Sequence, residues 1–336
     1  MDSGLAGFTP EQLDAVIAES LRNQLAAGVT TVRDLGDQQW SVVAWRDRAR
    51  AGKLGFASPT ILASGPPVTI RQGHCWAMGG VATGPKELRA AVRERAERGV
   101  DVVKIMASGG FLTPGTDVMA CQFALEEIRL VVDEAHALGL GVTAHAHGLS
   151  AVEQAVEAGV DGIEHCTCVT ANGYDISDSL IERLARSNIA ICPTLGTVPG
   201  TESSAPPELI ALHQRLGMTP EKRKNLIGAM HRGGAVIVSG GDSGIGPAKP
   251  HGVLPISIAE LVAGGVSPSD ALASATSVAA RVAGLGKSKG RLAPGYDADV
   301  VVVAGDPFTD ISALAAVQGV VLGGVLVDVS GGRAIW

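Results

Sequence analysis

Apolar and polar positions alternate along this chain on two scales. Six times, an amphipathic helical stretch gives way to Gly or Asn, then to a short β-branched run, then to a polar residue where the run stops. The instances are 28–34 (Gly-Val-Thr-Thr-Val-Arg-Asp), 99–104, 139–145, 159–165, 188–194 and 234–242. Gly and Asn tolerate the left-handed conformation that closes a helix, and a near-continuous apolar run fits a strand covered on both faces. Thr60-Ile-Leu-Ala-Ser64 adds a seventh strand. Helices are predicted from Thr9, where Pro10 and Gln12 complete a capping pattern, and from Ser150 with Glu153 and Ser267 with Asp270. Further helical stretches fall at about 86–98, 125–138, 177–187, 206–216 and 220–232. Strict alternation of strand and helix means a parallel sheet, open or closed.

Two features favour closure into a (β/α)8 TIM-like barrel. No Gly-x-Gly-x-x-Gly turn follows the first strand, so the dinucleotide fingerprint of an open sheet is missing. Lys104, His145, His147, His165 and Asp242 come from four strands, at the ends where such a barrel collects its chemistry. Seven strands leave the barrel one short of closure. After residue 288 the texture becomes turn-rich, with apolar runs at 300–304 and 319–328, so residues 1–288 read as the barrel and 289–336 as a small β-sandwich part. Asp299 and Asp306 there are assigned to turns.

Composition narrows the class. Of 336 residues 46% are hydrophobic but only 3% aromatic, with 44 glycines, so the interior is built from Ala, Val, Leu and Ile. A net charge of −7 without basic blocks argues against nucleic acid. No apolar run approaches a membrane span, and five dispersed cysteines suit a reducing compartment, so the expectation is a cytoplasmic, membrane-independent protein acting on a small molecule.

The candidate chemistry rests on spacing. His145 and His147 lie two apart on one strand and share a face, and His165 ends the next strand. Neutral imidazoles with carboxylate or carbamate oxygen suit zinc or a similar divalent ion. Asp242 among glycines can bind a metal and accept a proton. Lys104 at the barrel mouth has three open roles: Schiff-base amine, base, or carbamate bridging two metals.

Lys104, His145-Ala-His147-Gly, Ile-Glu-His165 and Gly-x-Asp242-Ser-Gly together resemble the amidohydrolase superfamily, in the branch of imidazolonepropionase-like proteins and Xaa-Pro dipeptidases. Their spacings, 41 residues from Lys104 to His145 and 20 from His145 to His165, fit it, as does the segment from Gly290 to Val302. The resemblance implies a carboxylated Lys104 bridging one or two ions, with His145 and His165 on the more exposed metal. Asp242 would bind the buried metal and act as general base. His147 and His74 become candidate substrate contacts, and Arg33-Asp34 a structural pair at the barrel rim. A metal-bridging hydroxide would then attack an amide-type C–N bond of a dipeptide, N-acyl amino acid or cyclic amide.

By that resemblance the chain lacks the first barrel strand with its His-x-His pair, none standing before the Thr9 helix, so the natural unit is expected to be longer by roughly 60 residues, and an exposed edge to favour a homo-oligomer. Two alternatives stay open at this point: a Schiff-base aldolase-type barrel, and an inactive or binding remnant.

Overall fold

The computed structural model describes residues 8–201, 204–329 and 332. Helix α1 (Pro10–Ala26) opens with the expected capping box: Thr9 Oγ1 accepts from the Gln12 N–H and the Gln12 side chain accepts from the Thr9 N–H. There follow β1 (Thr31–Asp34), α2 (Ser41–Arg50), β2 (Thr60–Ala63), α3 (Gly84–Glu97), β3 (Val103–Met106), α4 (Leu125–Ala137), β4 (Val142–Gly148), α5 (Leu149–Ala158) and β5 (Gly162–Thr170). A short β6 (Gly173–Tyr174) folds back on β5. The second half holds α6 (Asp178–Ser187), β7 (Ala190–Cys192), α7 (Pro207–Arg215), α8 (Pro220–Arg232), β8 (Val236–Ile237), α9 (Leu254–Ala263), α10 (Pro268–Ala275) and α11 (Ser277–Val282).

All seven sequence-predicted barrel strands are present and parallel. β3, β4, β5, β7 and β8 form one continuous ladder in that order, and β1 pairs with β2. A single bridge, Val68 to Ile105, links the two groups just past β2. Among the described residues no ladder joins β8 to β1. That seam is crossed instead by the Gln24 side chain of α1, whose Oε1 accepts from the Gly252 N–H at 3.1 Å and whose Nε2 lies 3.4 Å from His251 Nδ1.

Small side chains let the layers approach closely. α5 buries Ala151, Val152, Ala155 and Ala158 against the sheet, and the main core joins them to Ile105, Ala144, Ala146, Ile163 and Ile191. Two satellite clusters lie under α1 and α2, one around Leu21, Trp45 and Ile61, the other around Val43, Ala63 and Val100. Asn188 closes α6 with φ of 59°, the left-handed conformation its position in the repeat predicts.

Some boundaries move. α5 starts at Leu149 behind Gly148, so Ser150 lies inside the helix and is not its cap. α2, α9 and α11 add to the helices expected from the sequence. Most of α9 is covered, with Pro255, Ile256, Ser257, Ile258 and Leu261 all buried. α2 is capped from a distance, by Asp37 Oδ2 accepting from the Val42 and Val43 N–H groups at 2.8 and 3.3 Å.

Beyond the barrel, β9 (Val300–Val303), β10 (Val317–Leu322) and β11 (Val325–Val327) form an antiparallel sheet in the order β11-β10-β9. Asp299 there accepts from Lys289 and from the Gly323 N–H, and Asp306 from the Phe308 N–H, which are turn and ion-pair roles. No helix among the described residues is long and apolar enough to cross a membrane.

Helices α8 and α9 meet at glycines. A Cβ built on Gly228 would lie 1.9 Å from the Gly264 carbonyl oxygen. Gly228→Ala is therefore expected to destabilise the chain by about 1–3 kcal/mol, despite alanine's better helix propensity, because backbone must move to admit it. A lowered urea midpoint measures this; an unchanged or raised one contradicts it.

Candidate metal centre

β4 places its side chains by simple alternation. Ala144 and Ala146 face the helices within the core, while Thr143, His145 and His147 face the barrel interior. β5 cannot supply its ligand that way. Glu164 sits opposite His145 in the ladder and accepts from Thr143 Oγ1 at 2.7 Å, so it points inward. The next residue, His165, would by alternation point outward. Instead it has φ of 69°, followed by Cys166 at 46° and Cys168 at 49°. The ladder runs from Ala146–His165 to Gly148–Val169, so two steps of β4 oppose four of β5. This bulge turns His165 inward and drops Cys166 and Cys168 into the core. Left-handed non-glycine residues cost on the order of 1–3 kcal/mol each and persist only where packing fixes them.

The result is a cluster of three imidazoles. The ligand-capable atoms of His145, His147 and His165 lie within 4.8 Å of one another. His147 stacks on His165 with ring centres 4.3 Å apart, and His74, from the loop after β2, lies 4.4 Å from His145. Gly110 makes room for the His74 ring, which a Cβ there would meet at 2.3 Å.

Each ring is oriented by a partner at one nitrogen. His145 Nε2 donates to the Gly109 carbonyl at 3.1 Å, leaving Nδ1 its lone pair. The Thr167 hydroxyl donates to the His147 carbonyl and so accepts from His147 Nδ1 at 2.9 Å, leaving Nε2 free to coordinate. His165 Nδ1 is 2.7 Å from Thr194 Oγ1. Such outer partners fix ring orientation in metal sites. Burial holds all three rings well below the ordinary histidine range, with the neighbouring cationic groups acting the same way. The rings are therefore neutral at neutral pH, the state in which imidazole binds metal. The donor set fits a borderline divalent cation.

Lys104 lies beside the cluster but is the second residue of β3, not its last. It is buried, and burial lowers its pKa against the pull of Glu164 and Asp242. Asp242 lies five residues past the end of β8, at φ of 50°. Surrounding protein pushes its carboxyl up, opposed first by Lys249 and then by Lys104, although the residue remains open to water through the barrel mouth.

Arg33 departs from expectation. It does not pair with Asp34 at the rim but reaches across to Glu164, 3.1 Å away, while Asp34 accepts from the Gly36 N–H. Burial raises the Glu164 carboxyl, and Arg33 and Lys104 outweigh that, leaving it lower than usual and ionised.

Several site residues gave no sequence signal. Phe111 packs edge-on against His147 at 4.5 Å and His213 at 5.5 Å, forming one side of the mouth. Arg223 donates to the Pro193 carbonyl and contacts Thr194 Oγ1 at 3.5 Å. Lys249 contacts three carbonyls of the β7 and β8 loops.

The sequence profile of the amidohydrolase family matches residues 2–327. This chain belongs to the amidohydrolase family. Ochratoxinase of Aspergillus niger is 30% identical over 340 residues, covering 92% of this chain, and the chain spans 66% of that relative's length. The amidohydrolase is also similar to a solved Xaa-Pro dipeptidase with methionine bound in its active site, at a TM-score of 0.83 and 28% identity, covering 95% of this chain and 80% of that one. A solved prolidase complexed with N-methylphosphonate-L-proline superposes at a TM-score of 0.77 and 27% identity, covering 94% of this chain and 80% of that one.

Proposed function

We propose that this amidohydrolase cleaves amide-type C–N bonds with a divalent metal, zinc being the best fit, one or two ions per chain. The observation that carries the reading is the convergence of three neutral, individually oriented imidazoles beside Lys104 and Asp242. His145, His165, Asp242 and a carboxylated Lys104 are the proposed ligands, with His147 close enough to join them. A cation held there would supply Lewis acidity, polarising a substrate carbonyl and lowering the pKa of a water molecule.

The chain's own groups do the remaining work. Lys104 is held toward its neutral amine by burial, and a neutral amine can add carbon dioxide, forming an N–C bond and releasing one proton. Asp242, with its carboxyl raised and open to water, takes a proton from the attacking water and returns it to the leaving nitrogen. His147 and His74 line the substrate side, and Phe111 with His213 screens the mouth from bulk water. The names of the dipeptidase and prolidase relatives point to dipeptides or N-acyl amino acids as the substrate class. A Schiff-base role for Lys104 gives the three histidines nothing to do.

Chain purified without chelator is expected to carry divalent ion by elemental analysis and to hydrolyse members of a dipeptide and N-acyl amino acid panel. Chelation should remove both. Hydrolysis that survives complete chelation overturns the reading.

A further inference from the structure

Lys249 lies on the loop after β8, outside the histidine cluster, and its side chain turns inward. Nζ donates to the Thr194 carbonyl at 2.6 Å, the Leu195 carbonyl at 3.2 Å and the Gly241 carbonyl at 2.9 Å. An ammonium has three protons, and three carbonyls take them. Nothing remains to offer a substrate anion, so the obvious role for a lysine at a barrel mouth does not apply.

The three carbonyls belong to two loops. Thr194 and Leu195 follow β7, and Gly241 precedes Asp242 after β8. Each loop holds one strained residue, Thr194 and Asp242, both at φ of 50°. The Thr194 hydroxyl is in turn the partner of His165 Nδ1. Lys249 thus touches the backbone of both residues' loops, on one side next to the histidine support and on the other next to the carboxylate.

Its own seat is fixed. The Lys249 carbonyl accepts from the Gly244 N–H at 2.7 Å, its N–H donates to the Gly246 carbonyl at 3.0 Å, and the Ala248 carbonyl accepts from Val198. Asp242 and Glu260 face the ammonium with favourable charge and Arg223 opposes it. Glu260 also accepts from the Gly196 N–H at 2.6 Å, holding the β7 loop from its other end.

We propose that Lys249 is a positioning residue that acts as a built-in monovalent cation: seated on the carbonyls of Thr194, Leu195 and Gly241, its ammonium locks the β7 and β8 loops together and so sets His165, through Thr194, and Asp242 in register. The inference rests on the reading of His165 and Asp242 as metal-site residues. Burial draws its pKa down only to about 8, so the cation persists at neutral pH.

The test uses the full chain with Lys249→Met, which keeps the volume and removes the charge, and Lys249→Ala, which empties the seat. Hydrogen exchange read by mass spectrometry should accelerate in both 193–196 and 240–244 in Lys249→Met, while β4 stays protected. Cobalt(II), followed by its visible absorption, should bind that variant about 10–100-fold more weakly, the loss expected when a metal site's outer support is removed. Ammonium chloride should restore slow exchange and cobalt affinity to Lys249→Ala, and tetramethylammonium chloride at equal ionic strength should not. Unchanged exchange and cobalt affinity in Lys249→Met overturn the proposal. So does an Ala variant that ammonium fails to rescue, including one that stays unfolded with it. A wild-type chain that takes up no cobalt fails the metal reading instead, and the exchange and ammonium results still decide the role of Lys249.

Discussion

Asp242→Asn is expected to lower kcat for amide hydrolysis by about 10²–10⁴-fold, the range for losing a positioned general base, with a much smaller change in KM. The amide keeps the shape and the hydrogen-bonding reach of the carboxylate but cannot take up a proton. Asparagine also tolerates the left-handed conformation this position demands, φ of 50°, as well as aspartate does, so the loop should hold its course. The variant leaves Lys249 without the opposite charge that acts on it most and Lys104 without one of two, a smaller perturbation than removing the ammonium itself. In the wild type, surrounding protein raises the Asp242 carboxyl above the ordinary aspartate range. The acid limb of the rate profile that reports this carboxyl should disappear in the variant. A kcat within a factor of about ten of wild type would remove Asp242 from the role of base.

Chelator-treated chain should lose stability as pH falls below about 6.5. His145, His147 and His165 are held well below their ordinary value and His74 is lowered to about 4, so the native state leaves all four neutral where an unfolded chain protonates them. Their contribution is present above the unfolded pKa, near 6.5, and is withdrawn as the solution becomes more acidic. Asp34, raised to about 7, and Asp37, raised to about 6, act with the opposite sign, because the native state holds their protons and the unfolded chain does not. Asp242 joins them. The histidines outnumber the carboxyls, leaving an excess of about one to two protons on the unfolded chain near pH 5, on the order of 2 kcal/mol per pH unit. Urea midpoints between pH 5 and 7 measure it, and stability that stays level or rises on acidification contradicts the assignment of neutral, buried rings.

Six of the seven barrel strands were legible because a short β-branched run follows a helix-closing Gly or Asn, and most of them are buried along their length. Their ends were less so. Lys104 looks like a strand terminus only because the apolar run precedes it, whereas the ladder with β4 continues to Met106. Asp242 looks attached to β8, but pairing with β7 ends at Ile237 and glycine-rich chain covers the rest. The pair His145 and His147 could be placed on one face from spacing alone. The inward turn of His165 could not, since it depends on a bulge whose only sequence trace is a run of ordinary residues. Arg223 and Lys249 sit on a helix and a loop where periodicity says nothing, and they matter through main-chain carbonyls, which a sequence does not display.

The satellite cluster around Leu21, Trp45 and Ile61 has one more consequence. Three tryptophans among the described residues, Trp40, Trp45 and Trp76, all lie in the first quarter of the chain. Trp45 packs with Phe56 and under Arg48, and Trp40 is flanked by Arg95 and Arg98. The parallel ladder from β3 to β8 contains no tryptophan. The fluorescence of these three therefore watches one flank of the barrel, whereas circular dichroism reads helices throughout it, so the two signals of this molecule sample regions of different extent.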